Sequence, residues 1–204
     1  EIDAQVIFHW SRLGKASLDR RVLRAMAELP RQDFVPPDLR AYAYADSPLP
    51  IGCGKTISQP FIVAVMTDLL DPQPGDKLLD IGTGLGYQTA ILSRLAGHVY
   101  SVELIEALAL SARQRLRQLG CNNVTQRVAN GHQGWPEEAP FDKIIVSAAP
   151  EEVPPALLDQ LAPGGRLVLP AGPADHQQLL VIDKAGDGTL HRRDIFAVRF
   201  SLLE

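Results

Sequence analysis

From Lys77 onward the apolar positions fall into two alternating rhythms. Short runs at 77–81, 98–102, 123–128, 141–147 and 165–169 are apolar at most positions and read as strands of a covered sheet. Among them, at 86–96, 104–119 and 154–162, apolar residues recur every three or four positions, the spacing of a helix with one face on a core. The 104–119 segment places Leu104, Leu108, Ala112, Leu116 and Leu119 toward the sheet and its arginines outward. Strands and helices alternating over such short connections predict right-handed crossovers. The expected fold is therefore α/β, a doubly wound, mostly parallel sheet with helices on both faces. Segments 177–184 and 190–200 flank Asp187-Gly188 and predict an antiparallel hairpin at one sheet edge.

The pattern upstream is different. Residues 3–13 and 18–29 predict two amphipathic helices. In the second, Leu18, Val22, Ala25, Met26 and Leu29 oppose Asp19, Arg20, Arg24 and Glu28, and Pro30 ends it. Trp10, a lone aromatic on the first helix, reads as packing. Between Arg31 and Gln59 periodicity is lost among Pro36, Pro37, Pro48, Pro50, Gly52 and Gly54. A stretch of this length inside a compact domain reads as a site-lining segment. Pro60 then opens an apolar helix, and Ser58 ahead of it has an ordinary role as N-cap, worth about 1 kcal/mol. The chain reads as one domain, with N-terminal helices and a substrate or lid segment over 1–59 and a ligand-binding α/β core over 60–204.

Charge narrows the partners. With 24 acidic against 20 basic residues and a net charge of −4, no electrostatic footprint for nucleic acid is present. Cys53 and Cys121 suggest neither a zinc site nor a disulfide framework, and no metal-ligand spacing is found. Within the sequence, which begins at Glu1 rather than Met, there is no signal peptide and no apolar run long enough to span a bilayer. These features predict a cytoplasmic protein, monomeric or weakly oligomeric, with no nucleic-acid or membrane partner.

The chemistry gathers where the first predicted strand runs into Asp80-Ile81-Gly82-Thr83-Gly84-Leu85-Gly86 and then a helix. Glycines at 82, 84 and 86 allow backbone to approach a ligand with positive φ. A carboxylate at Asp80 would repel a pyrophosphate but accept hydrogen bonds from a cationic amino group, which selects S-adenosylmethionine over NAD or FAD. The alternative is an Asp that satisfies local backbone donors. Glu103, 21 residues after Gly82 and following the second strand, can accept both ribose hydroxyls, or simply stabilise a helix N-terminus. Asn130 and Gly131 form a turn at the same sheet edge, where the Asn130 amide can meet an adenine edge. His98 and His132 have no partner carboxylate suggested by spacing. Gly54-Lys55-Thr56 is not a phosphate loop, because Leu49 stands where that motif requires glycine. Lys55 is either solvated or in reach of the ligand.

These segments together resemble the protein-L-isoaspartate O-methyltransferases, cytosolic repair enzymes of the class I S-adenosylmethionine-dependent fold. The resemblance covers roughly residues 31–200. It is carried by Asp33-Phe34-Val35-Pro36, Leu49-Pro50-Ile51-Gly52, Thr56-Ile57-Ser58-Gln59-Pro60, the glycine loop, Ser101-Val102-Glu103, Ala139-Pro140-Phe141-Asp142 and Gly164-Gly165-Arg166-Leu167-Val168-Leu169-Pro170. The glycine loop is shared with many methyltransferases, whereas Thr56 to Pro60 is far more specific. The resemblance implies Ser58 as the active-site serine and Thr56, Ile57 and Ser58 as the lid between substrate carboxylate and methyl donor. It implies Asp80, Gly82, Thr83, Gly84 and Gly86 at the methionine end, Glu103 on the ribose, and Asn130 with Gly131 on the adenine. Two positions depart from the family pattern: Lys55 replaces a Gln, and Asn130 replaces the Asp of a Gly-Asp-Gly turn.

The implied reaction is methylation of the α-carboxylate of L-isoaspartyl residues in damaged proteins and peptides. The resulting ester is displaced by backbone nitrogen to a succinimide, which hydrolyses partly to normal aspartate. An isoaspartyl carboxylate, with a pKa of ~4, is ionised at neutral pH and needs no general base. Two other readings stay open at this point: a methyltransferase of the same fold acting on another carboxylate, and a cofactor-binding sensor without turnover.

Overall fold

The computed structural model describes residues 2–14 and 16–204. The expected helix over 3–13 forms as two pieces, α1 (Ile2–Phe8) and α2 (Trp10–Leu13), broken by a turn at His9. The packing role expected of Trp10 concerns a side chain outside the described residues. The next helix, α3 (Arg20–Glu28), starts where Asp19 accepts the Arg21 amide at 2.7 Å.

The segment 31–59, expected as irregular, contains two short 3-10 turns and a β-hairpin. Strands β1 (Leu49–Gly52) and β2 (Lys55–Ile57) pair antiparallel, turning through Cys53 and Gly54, both at positive φ. Proline at 48 and 50 concealed this element, since Pro is tolerated on the open edge of a two-stranded ribbon. Helix α4 (Pro60–Leu70) follows and is buried on nearly every side.

Ser58 does not cap α4. The N-cap position is Gln59, without a side-chain bond, and the Phe61 amide is taken by Asp46 Oδ1 at 3.1 Å. A carboxylate from an earlier loop therefore meets the positive end of α4, and the Ser58 hydroxyl is left for other work.

The core elements are β3 (Lys77–Ile81), α5 (Tyr87–Ser93), β4 (His98–Glu103), α6 (Glu106–Gln118), β5 (Val124–Val128), β6 (Phe141–Val146), α7 (Pro155–Gln160), β7 (Leu161–Ala171), β8 (Gln177–Lys184) and β9 (Leu190–Val198). They build a seven-stranded sheet ordered β5-β4-β3-β6-β7-β8-β9. The first five strands run parallel, and β8 is antiparallel to both its neighbours, which is the expected edge hairpin. Strand alternation divides the core: Leu78 and Ile145 pack with α4 on one face, while Leu79, Ile81, Ile144 and Val146 pack on the other. Helix α5 is shorter than expected, ending at Ser93, and the Asn123 side-chain amide donates to the carbonyls of Ser93, Ala96 and Gly97 just beyond it. Strand β7 begins earlier than expected, since Gly165 lets its backbone lie where a Cβ would sit 2.9 Å from the Asp142 carbonyl oxygen.

Candidate active site

Chain order reverses between β3 and β6, and the crevice at their carboxyl ends is where open α/β sheets bind ligands. A cavity of about 850 Å³ lies there. It is floored by Gly82 and Gly84, flanked by Glu103 and Ser147, and faced by Thr56 and Ser58. The glycine loop and the lid segment, separated by more than twenty residues in sequence, thus form two walls of one site.

Beneath the loop is a buried polar network. Asp80 is fully buried, and its Oδ2 accepts from Thr89 Oγ1 at 2.5 Å and Ser101 Oγ at 3.0 Å. Thr83 Oγ1 lies 2.6 Å from the same Ser101 hydroxyl. These contacts join β3, β4 and α5 at the point where the loop leaves the sheet. Burial pushes the Asp80 carboxyl up to about 6, against the hydrogen bonds from Thr89 and Ser101 that favour its charged form, with Glu103 adding like-charge repulsion. Among the described residues, the other oxygen, Oδ1, is buried without a hydrogen-bond partner. Asp80 therefore sits under the loop and off the cavity wall, as a negative group holding one open acceptor.

Glu103 is on the wall. Its Oε2 accepts the Gly84 amide at 2.7 Å and its Oε1 the Ile105 amide at 3.0 Å. Each oxygen keeps further lone-pair capacity, so the carboxylate positions the loop and can still accept from a diol. The apolar side chains of Ile105 and Leu108 stand beside it. Gly86 is not part of the lining. It starts α5 at φ +94°, and a Cβ there would lie 3.3 Å from that of Ala112, so its glycine serves the approach of α5 to α6.

Gly131 lines the cavity, and a Cβ on it would fall 2.5 Å from Ile81 Cγ2. Asn130 is exposed and outside the lining; its side chain accepts the His132 amide at 2.8 Å and fixes the turn. On the lid, Ile57 is buried in the core as an anchor, while Thr56 and Ser58 face the cavity. Lys55 also lines it and pairs with Glu204 at 3.1 Å.

Arg31, 1 % exposed, secures the lid from behind. Its Nε donates to the Ala43 carbonyl and its Nη2 to the Ser58 carbonyl, each at 2.7 Å, and its guanidinium lies 5.1 Å from the centre of the Tyr87 ring. Sequence reasoning missed Arg31 and Asp46 because their partners are backbone groups 12 to 27 residues away. It also missed Ser147, whose position just beyond β6 at the reversal of strand order was the available signal. The glycine floor and the Glu103 carboxylate on the wall, with the buried Asp80 carboxylate as a counter-charge beneath the loop, fit a ligand with a cationic amino group, a compact body and a diol, the features of S-adenosylmethionine.

The chain is similar to known proteins over nearly its whole length. The model of the protein-L-isoaspartate(D-aspartate) O-methyltransferase family matches residues 5–203. A protein-L-isoaspartate O-methyltransferase of Polaromonas sp. is 59 % identical over 204 residues, covering 100 % of this chain and 86 % of the relative. One from Nitrosococcus oceani is 52 % identical, covering 97 % of this chain and 90 % of the relative. Among solved structures, a Plasmodium falciparum protein described as a protein-L-isoaspartate O-methyltransferase in complex with S-adenosyl-L-homocysteine superposes with a TM-score of 0.79 at 26 % identity, over 96 % of this chain and 98 % of that one. The chain belongs to the protein-L-isoaspartate(D-aspartate) O-methyltransferase family.

Proposed function

We propose that this enzyme methylates the α-carboxylate of L-isoaspartyl residues in proteins and peptides through the cavity between the glycine loop and the lid, with Ser58 orienting the carboxylate. The observation that carries this assignment of residues is the shared cavity itself, with Ser58 and Thr56 on one side and Gly82, Gly84 and Glu103 on the other.

S-adenosylmethionine, when bound, supplies a sulfonium methyl already activated for transfer. The residues of the chain bind and orient. Glu103 accepts the ribose hydroxyls, Gly82 and Gly84 admit close approach of the methionine portion, and Gly131 borders the adenine. Thr83 acts from below, fixing Ser101 and so the loop. Asp80 supplies a counter-charge to the amino group from beneath the loop. Asn130 acts on the adenine end by shaping the turn. The Ser58 hydroxyl donates to one oxygen of the substrate carboxylate, which is ionised at neutral pH, and no group of the chain has to remove a proton. Ile57 anchors the lid, Thr56 closes over the reacting groups, and Lys55 attracts the anionic substrate at the rim. Alignment in a site shielded from water is worth as much as ~7–11 kcal/mol of barrier. The enzyme works as a single domain in the cytoplasm and needs no nucleic-acid or membrane partner.

The test couples calorimetric titration with S-adenosylmethionine to methanol release from an isoaspartyl peptide and its aspartyl twin. The expected result is binding, with release from the isoaspartyl peptide alone. Binding without release would indicate a sensor, and equal release from both peptides a different carboxylate substrate.

A further inference from the structure

The cavity continues past Ser58. Its lining also includes Gln5 from α1, His9 in the turn after it, Phe61 in the first turn of α4, and Phe196 on β9. Three rings are stacked there. His9 lies 4.9 Å from Phe196 at an interplanar angle of 28° and 5.6 Å from Phe61 at 24°, and the two phenyl rings are 6.3 Å apart at 19°. Phe61 and Phe196 are 3 % and 5 % exposed and belong to the core, whereas His9 is half-buried. Desolvation and the nearby Arg12 guanidinium lower the His9 pKa below its ordinary value, so the ring is a neutral, flat surface at pH 7. The charged residues of the lining, Lys55, Glu103, Arg199 and Glu204, are distinct from this stack.

A substrate carboxylate delivered inside a chain brings its neighbours with it. The cofactor end is committed to a nucleoside, so flanking residues must run along the other walls. We propose that the His9–Phe61–Phe196 stack is a subsite for a large apolar or aromatic side chain flanking the isoaspartyl residue, and that His9 is a specificity-determining residue of the enzyme. This rests on the reading that methyl transfer occurs at Ser58. Ring against ring fits offset or edge contact, and one aromatic pair corresponds to a selectivity of about three- to tenfold.

The test uses isoaspartyl peptides that differ only in one flanking residue, Phe, Leu or Gly, varied separately on the N- and C-terminal sides. The intact enzyme should show a KM three- to tenfold lower for Phe than for Gly on one of the two sides, with Leu between. In His9→Ala that ratio should fall to near one, whatever common change all peptides undergo. His9→Tyr, which restores a ring, should recover the ratio and guards against a variant that is merely unstable. Equal KM values for Phe and Gly in the intact enzyme, or an unchanged ratio in His9→Ala, would overturn the subsite. Cofactor binding without methanol release from any of the peptides would instead overturn the functional reading on which it stands.

Discussion

The two walls of the cavity are held in different ways. On the glycine-loop side, Asp80, Thr83, Thr89 and Ser101 are each at most 4 % exposed and form one network, and Glu103 ties the loop to β4 through the Gly84 amide. On the lid side, Gly52, Cys53, Gly54 and Thr56 are exposed, and the segment is secured at Ile57, through Arg31 on the Ser58 carbonyl, and by Asp46 on α4. The first arrangement presets a binding site. The second leaves a short, lightly anchored ribbon facing the same cavity. Substitutions on the loop side should therefore act on cofactor affinity, and those on the lid side on turnover.

The largest expected effect on affinity is at Glu103. Glu103→Ala should weaken S-adenosylmethionine binding by about 10- to 100-fold in calorimetry, the size of losing hydrogen bonds to a charged acceptor. Acidification should act in the same direction. The Asp80 carboxyl titrates at about 6, so from pH 7 to pH 5 it gains a proton and ceases to be a counter-charge. Cofactor affinity should fall roughly three- to tenfold over that range, and Asp80→Asn should abolish the dependence. The same group has the opposite effect on the free protein. Its folded pKa is raised from 3.8, so its contribution to stability is fully present below about pH 4 and is lost as pH rises through 6.

Stability separates the two readings of the lid. Asp46→Ala removes the carboxylate at the start of α4 and should cost about 1 kcal/mol, or roughly 2–4 °C in Tm for a chain of this size. Ser58→Ala should leave Tm within about a degree, because its hydroxyl caps nothing. The smallest effect is expected at Lys55, whose pair with Glu204 is solvent-exposed on the acidic side. Lys55→Ala should change stability by less than about 1 kcal/mol and raise KM for acidic peptides more than for neutral ones, the difference vanishing at high salt.

What was legible in the sequence follows the same division. The parallel sheet, the edge hairpin and the glycine loop with Asp80 and Glu103 rest on local patterns, and each formed near its expected position. The strands of the lid ribbon were hidden by prolines, and the true cap of α4 lies in a loop 15 residues before the amide that it serves. Asp80 was read as a ligand contact from its place before the glycines. Its neighbours across β4 and α5, which set its burial and its pKa, are visible only once the strands are in register. The motif that points Asn130 and Gly86 toward the ligand does not reveal that the Asn130 side chain also fixes a turn or that a Cβ at Gly86 would press on α6.

The central claim is that Ser58 acts on the substrate and not on the helix behind it. The most direct measurement is the single-turnover rate of methyl transfer to an isoaspartyl peptide by Ser58→Ala at saturating cofactor, taken per mole of folded enzyme. A misplaced carboxylate should lower this rate by ~100-fold, with the S-adenosylmethionine Kd held within about twofold. An unchanged rate per folded enzyme, accompanied by a drop in Tm, would contradict the account and return Ser58 to the helix.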